Sequence, residues 1–240
     1  MVGLVGAVAA IEAANLGRYA IVGGLAVSAR LHRAHRATAD VDTVVDESEP
    51  PDAVEALLAL GDTRRDPTAS HRVYVGGTKV EVLGVGQLTA ADDLTWATDG
   101  DALFVLAHRW ALDTAEPLRL IAGDDPQVEA TAPFATPAAL IAMKLHAIES
   151  RSAAGRDKRA GDAWDLYRIL VDLDHGGSVT AAILTAPPAL RPLIAAAVDR
   201  VLVTGADRTR GWMRAGDDVI ASVSAEELRL VALPLLDALR

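Results

Sequence analysis

The chain has 240 residues, a formal net charge of −10, 51% apolar but only 4% aromatic residues, and no cysteine. Such a length is enough for one large or two small domains with a substantial core, and the lack of cysteine excludes disulfides and thiolate metal sites. The acidic balance argues against a broad surface that coats nucleic acid, while it permits a local basic patch for one defined end.

The opening MVGLVGAVAAIEAANLG is small and apolar, yet it has no basic leading region and carries Glu12 inside the run. It reads as a buried helix over residues 2–16 rather than a signal peptide. No apolar stretch is long and charge-free enough to span a bilayer, so a soluble, cytoplasmic protein without a membrane partner is expected. Residues 18–22 then read as a first strand, and Gly23-Gly24 opens a helix that runs to about Ala34. That helix closes in Arg30, His32, Arg33, His35 and Arg36, the densest basic cluster in the chain. These side chains suit either a solvated helix end facing the negative end of the macrodipole or a phosphate-facing patch.

Next comes Asp40-Val41-Asp42 among β-branched neighbours. On a strand, Asp40 and Asp42 share one face and stand roughly 7 Å apart, a spacing from which two carboxylates can hold a divalent metal. Pro50-Pro51, Asp52 and Glu55 predict another helix start, with Gly61 at its exit. Two alternating runs, His71 to Val75 and Lys79 to Gly84, flank Gly76-Gly77 as a β-hairpin. Within the second run Glu81 is a lone acid between Val80 and Val82. From Gln87 to Pro133 the pattern weakens, with strands predicted at 103–109 and 118–122 and turns at Asp99-Gly100 and Gly123 to Pro126.

Thr136-Pro137 begins a clear helix, with Leu140, Met143, Ala147 and Ile148 spaced for one apolar face and Lys144 inside the run. A basic loop from Arg151 to Arg159 leads to a second helix, GDAWDLYRILVDLD, in which Asp162 and Asp165 are three apart. From Ser178 to the end the chain is rich in Ala and Leu and interrupted by Pro and Gly, which reads as several helices in a bundle-like lobe.

The Gly-Gly turn followed by Asp-hydrophobic-Asp resembles the nucleotidyltransferase superfamily that includes DNA polymerase beta. Arg36-x-Thr38-x-Asp40-Val41-Asp42, together with Lys144-Leu-His-Ala, Arg151 and Asp162-x-x-Asp165-Leu166, is similar to its AbiEii/AbiGii-type toxin branch and to MenT-like toxins. The resemblance implies an α+β fold: a polymerase beta-type mixed sheet with flanking helices over residues 1–133, and a C-terminal helical lobe over 134–240 that completes the active site. It implies a two-metal Mg²⁺ site on Asp40, Asp42 and Glu81, and a phosphate cradle at Gly23 and Gly24. Thr38 and Lys144 would meet the nucleotide phosphates, with Asp162 positioning Lys144 or an acceptor. The expected reaction transfers a nucleoside monophosphate from an NTP to an acceptor such as the 3′ end of tRNA, with a cognate antitoxin as the blocking partner. Two other readings of the same residues stay open. One is nucleotidyl transfer to a small cationic molecule such as an antibiotic, drawn by the acidic surface. The other is a nucleotide-binding module without turnover.

Overall fold

A computed structural model describes residues 2–32, 38–48, 51–86, 94, 97–122, 125–151, 155–214 and 222–240. The chain divides into two compact units, one of residues 1–88 and 111–136, the other of residues 89–110 and 137–240.

The first unit is built on a seven-stranded mixed sheet in the order β3-β4-β5-β2-β1-β7-β6. Its strands are β1 (Tyr19–Val22), β2 (Asp40–Asp46), β3 (Thr63–Asp66), β4 (Ala69–Val75), β5 (Thr78–Val85), β6 (Glu116–Ala122) and β7 (Asp125–Phe134). Helices α1 (Val2–Ala13), α2 (Gly23–Arg30) and α3 (Ala53–Leu58) accompany it. The architecture is therefore α+β, a mixed sheet with flanking helices. β1 has Ala20, Ile21 and Val22 at most 1% exposed, which suits a strand near the middle of the sheet. β2 pairs antiparallel with β1 and parallel with β5. The parallel step needs a long crossover, supplied here by α3, β3 and β4. The predicted hairpin is β4–β5, paired from Arg72↔Glu81 to Val75↔Thr78 around Gly76-Gly77, both glycines at positive φ. α3 starts at Ala53 because the Asp52 carboxylate caps it, accepting from the amides of Val54 (2.9 Å) and Glu55 (3.1 Å).

The second unit holds α4 (Asp99–Asp113, up to Trp110), α5 (Pro137–Ser150), α6 (Arg156–Asp172), α7 (Ser178–Ile183), α8 (Leu190–Val198), α9 (Ala206–Met213) and α10 (Ala225–Leu239). α4 corrects the strand expected at 103–109. Leu103, Leu106, Ala107, Trp110 and Ala111 are buried at helical spacing. Thr98 and Asp101 also form a reciprocal cap: the Thr98 hydroxyl donates to Asp101 Oδ2 (2.7 Å), and the Asp101 amide donates to the Thr98 hydroxyl (3.3 Å). α5 is buried almost all round, from Ala138 to Leu145, rather than along one face. α6 begins at Arg156, inside the stretch expected as a basic loop. Ser224 and Glu227 close a capping box at the start of α10. Among the described residues no helix is long and apolar enough to cross a membrane.

His108, on α4, is 5% exposed, with Nδ1 2.7 Å from the Phe104 carbonyl oxygen. Burial is the main force pushing its pKa down to about 4; the Phe104 hydrogen bond opposes the shift and His146 adds to it. The neutral ring is thus the form the fold accepts, while the unfolded chain takes up a proton near pH 6.5. Stability is fully present above about pH 6.5 and is lost as pH falls toward about 4, by on the order of 3 kcal/mol. Urea-unfolding midpoints across this range should show the slope in the native chain, and His108→Leu should flatten it.

Candidate functional site

The site expected from the sequence begins where β1 ends. Gly23 opens α2 at φ +69, a left-handed value that costs little only without a Cβ. A Cβ built there would lie 1.9 Å from Asp42 Oδ2. The Asp42 carboxylate therefore sits against the glycine backbone in space that no other residue would leave. The register agrees, since Val22 and Asp42 are cross-strand partners. Gly24 is buried in the same first turn of α2, and Val22 provides no side-chain cap there.

From Asp42 a row of charged residues crosses the sheet. Asp42 pairs with Glu81 on β5, and Glu81 pairs with Arg72 on β4. Two residues along, Asp40 pairs with Lys79. Period-two alternation puts these side chains on one face, while Val41, Val73 and Val80, each 0% exposed, pack on the other. Lys79 Nζ stands 2.7 Å from Asp40 Oδ2 and 3.4 Å from Glu81 Oε1. Arg72 donates to Glu81 Oε1 from Nε at 2.9 Å, and its Nη2 lies 2.6 Å from the same oxygen. Burial works against the charge on Lys79, but its hydrogen bond and attraction to Asp40, reinforced by Glu81, hold its pKa above the ordinary lysine value. The Glu81 hydrogen bond likewise raises that of Arg72.

Asp40, Asp42, Glu81, Gly23 and Gly24 are thus brought together within the first unit. The donor chemistry fits a hard divalent cation, with oxygen ligands two apart on one strand and a third acid on the neighbouring strand. Among the described residues, however, no three His, Asp or Glu side chains assemble as a ready metal-holding group. The positive charge on this face is supplied by Lys79 and Arg72 instead. Sequence reasoning passed over both; the signal was alternation, which puts Lys79 two residues before Glu81 and Arg72 two before Tyr74.

The basic end of α2 is used differently from a phosphate patch where it is described. Arg30 donates from Nε to the Ala135 carbonyl (2.9 Å) and from Nη2 to the Phe134 carbonyl (2.8 Å), and its Nη1 meets Glu116 at 2.8 Å. It ties α2 to β7 and β6. His32 is exposed at φ +53; Arg33, His35 and Arg36 lie outside the described residues. Thr38 stands just before β2, and its hydroxyl is buried with no hydrogen-bond partner among the described residues. An orphaned buried hydroxyl is uncommon, and a phosphate oxygen would satisfy it.

In the second unit, α5 and α6 bring Lys144, Asp162 and Asp165 into one buried cluster. Lys144 Nζ lies 2.8 Å from Asp162 Oδ1 and 2.6 Å from Asp165 Oδ2, and Arg151 Nε is 2.6 Å from Asp162 Oδ2. Lys144 and Asp162 are 5% exposed and Asp165 is 0%. Lys144 is accordingly a buried ion-pair residue rather than a side chain reaching into solvent, and Asp162 positions it, with Asp165 as a second anchor.

A cavity of about 630 Å³ in the first unit lies toward the other end of β2, lined by Asp46, Glu47, Asp52, Arg65 and His71 among others. Asp40, Asp42 and Glu81 do not line it. Comparison with protein-family models and with curated proteins gives no match for this sequence.

Two stability outcomes follow from the geometry. Gly23→Ala should destabilise the chain by about 2–4 kcal/mol, from the left-handed backbone and the overlap with Asp42. Adding Asp42→Ala should return the steric part of that loss in a double-mutant cycle read by urea denaturation. Lys144→Ala should cost about 3–5 kcal/mol, because it leaves the Asp162 and Asp165 carboxylates buried without their ammonium.

Proposed function

We propose that this protein is a Mg²⁺-dependent nucleotidyltransferase of the DNA polymerase beta type. In this reading it is a toxin of a toxin-antitoxin pair that transfers NMP from an NTP to an acceptor such as the tRNA 3′ end. The observation that carries the reading is the fit of the Asp42 carboxylate against Gly23, which couples a glycine turn at a helix start to an Asp-Val-Asp strand. A glycine turn admits phosphate oxygens close to backbone amides, and the acids beside it are where a triphosphate's counter-cation belongs.

Asp40 and Asp42 would hold Mg²⁺, with Glu81 alongside, and the ion would supply neutralisation of phosphate charge and a lowered pKa for an attacking hydroxyl. The acceptor hydroxyl oxygen attacks the α-phosphorus, the bond from that phosphorus to the bridging oxygen breaks, and pyrophosphate leaves. The hydroxyl proton goes to Glu81 or Asp42. Arg72 orients Glu81 through its donors to Oε1, and Lys79 contributes a cation beside Asp40. The Thr38 hydroxyl supports the same reading as a donor awaiting an acceptor.

A second reading has an observation of its own. Lys79 and Arg72 already compensate the carboxylates, which favours a module that binds nucleotide without turning it over. Labelled NTPs, Mg²⁺ and total tRNA separate the two. Transfer predicts label on RNA and pyrophosphate release, both lost in Asp42→Ala. Calorimetric binding of Mg²⁺-NTP with no label on any acceptor and no pyrophosphate selects the binding module. No binding at all rejects both.

A further inference from the structure

The second unit carries a cationic feature that the buried Lys144 cluster does not use. On α6 and α9, the guanidinium carbons of Arg159 and Arg208 lie 4.6 Å and 5.2 Å from the centroid of the same Trp212 ring. The two are therefore within about 10 Å of each other. Each is further tethered by a backbone carbonyl: Arg159 Nε donates to Ile148 O at 3.1 Å, and Arg208 Nη2 to Arg200 O at 3.3 Å. Arg208 is exposed, while Arg159 and Trp212 are partly so.

The shared ring sets these two arginines apart, since Arg191, Arg210 and Arg214 of the same unit also meet no carboxylate among the described residues. Arg151, Arg168, Arg200 and Arg229 each meet a carboxylate in the same unit. Among the described residues, Arg159 and Arg208 meet none. Held by one ring and by carbonyls, the two guanidinia keep N–H donors to offer an anion from outside. A guanidinium keeps several N–H donors after giving one to a carbonyl, and its planar fork matches phosphate oxygens. The indole holds both cations in place by cation–π attraction and lowers the entropy lost when they close on a ligand.

We infer that Arg159, Trp212 and Arg208 form a clamp for the phosphodiester backbone of a nucleic-acid strand. Two cations no more than about 10 Å apart can meet successive charges of one phosphodiester chain. The clamp does not depend on nucleotidyl transfer, and its test uses the 240-residue chain carrying Asp42→Ala so that the two proposals fail separately.

The experiment measures binding of a labelled oligouridylate across a range of salt concentrations. The matched oligothymidylate, UMP and poly-glutamate serve as further arms. Losing two phosphate contacts in Arg159→Gln/Arg208→Gln should make the slope of log K against log salt shallower by about 1.4, and weaken low-salt binding by at least about tenfold. Arg208→Gln alone, at an exposed side chain, should give about half the change in slope, and an unaltered urea midpoint shows that it folds. Preference for the uridylate assigns RNA as the strand; equal binding of the thymidylate assigns either nucleic acid. An unchanged slope in both variants overturns the clamp, as does UMP binding as tightly as the oligomer or poly-glutamate competing as well as RNA.

Discussion

Asp40, Asp42 and Glu81 can share one sheet face because two cations and one missing side chain make room for them. Like charges placed directly across strands repel, and here Lys79 stands opposite Asp40 while Arg72 stands opposite Glu81. Gly23 removes the remaining obstacle, since any Cβ there would overlap the Asp42 carboxylate. The register of β2 against β5 is therefore doubly specified, by the valines on the buried face and by charge on the other. A slip of one residue would turn Val41 and Val80 outward and bury the acids. That same register is what gives the face its potential for chemistry.

The second unit applies the same rule in a drier place. Lys144 lies in a helix buried almost all round, where an unpaired ammonium would be far costlier than a lost apolar contact. Asp162, Asp165 and Arg151 answer it with a balanced set of two cations and two anions. Such clusters add little net stability compared with apolar packing, but they penalise every alternative pairing of the helices that would separate the charges. The spacing of Asp162 and Asp165, less than one turn apart on α6, lets a single ammonium on α5 meet both.

Much of this was legible in the chain, and the misses have physical causes. The strand carrying Asp40 and Asp42, the β4–β5 hairpin and the start of α5 followed from periodicity, glycine placement and helix-start signals, while the resemblance left Asp162 to position either Lys144 or an acceptor, and the ion pair is with Lys144. The segment expected as a strand at 103–109 contains the consecutive apolar residues Phe104, Val105 and Leu106, but the burial spacing from Leu103 to Ala111 and the Thr98–Asp101 cap make it helix. β3 was missed because Thr63 to Asp66 is short and charged and takes its conformation from β4. Arg30 was read as a candidate for phosphate since its partners, the Phe134 and Ala135 carbonyls, lie about a hundred positions away. No local pattern announces such a contact. The roles of Lys79 and Arg72 needed the register between three strands, which sequence alone leaves open.

The order of the sheet leaves β3 and β6 at its two borders. Exposed borders offer unpaired amides and carbonyls to any passing extended chain, so their composition governs whether the protein stays dispersed when concentrated. β3 has only four residues, and Arg64 and Arg65 are exposed on it. β6 carries Pro117, which lacks an amide hydrogen, and an exposed Arg119 ion-paired to Glu129 on β7. Both borders are thereby poor templates for cross-β growth, and a sheet rich in valine is kept from recruiting further copies of itself.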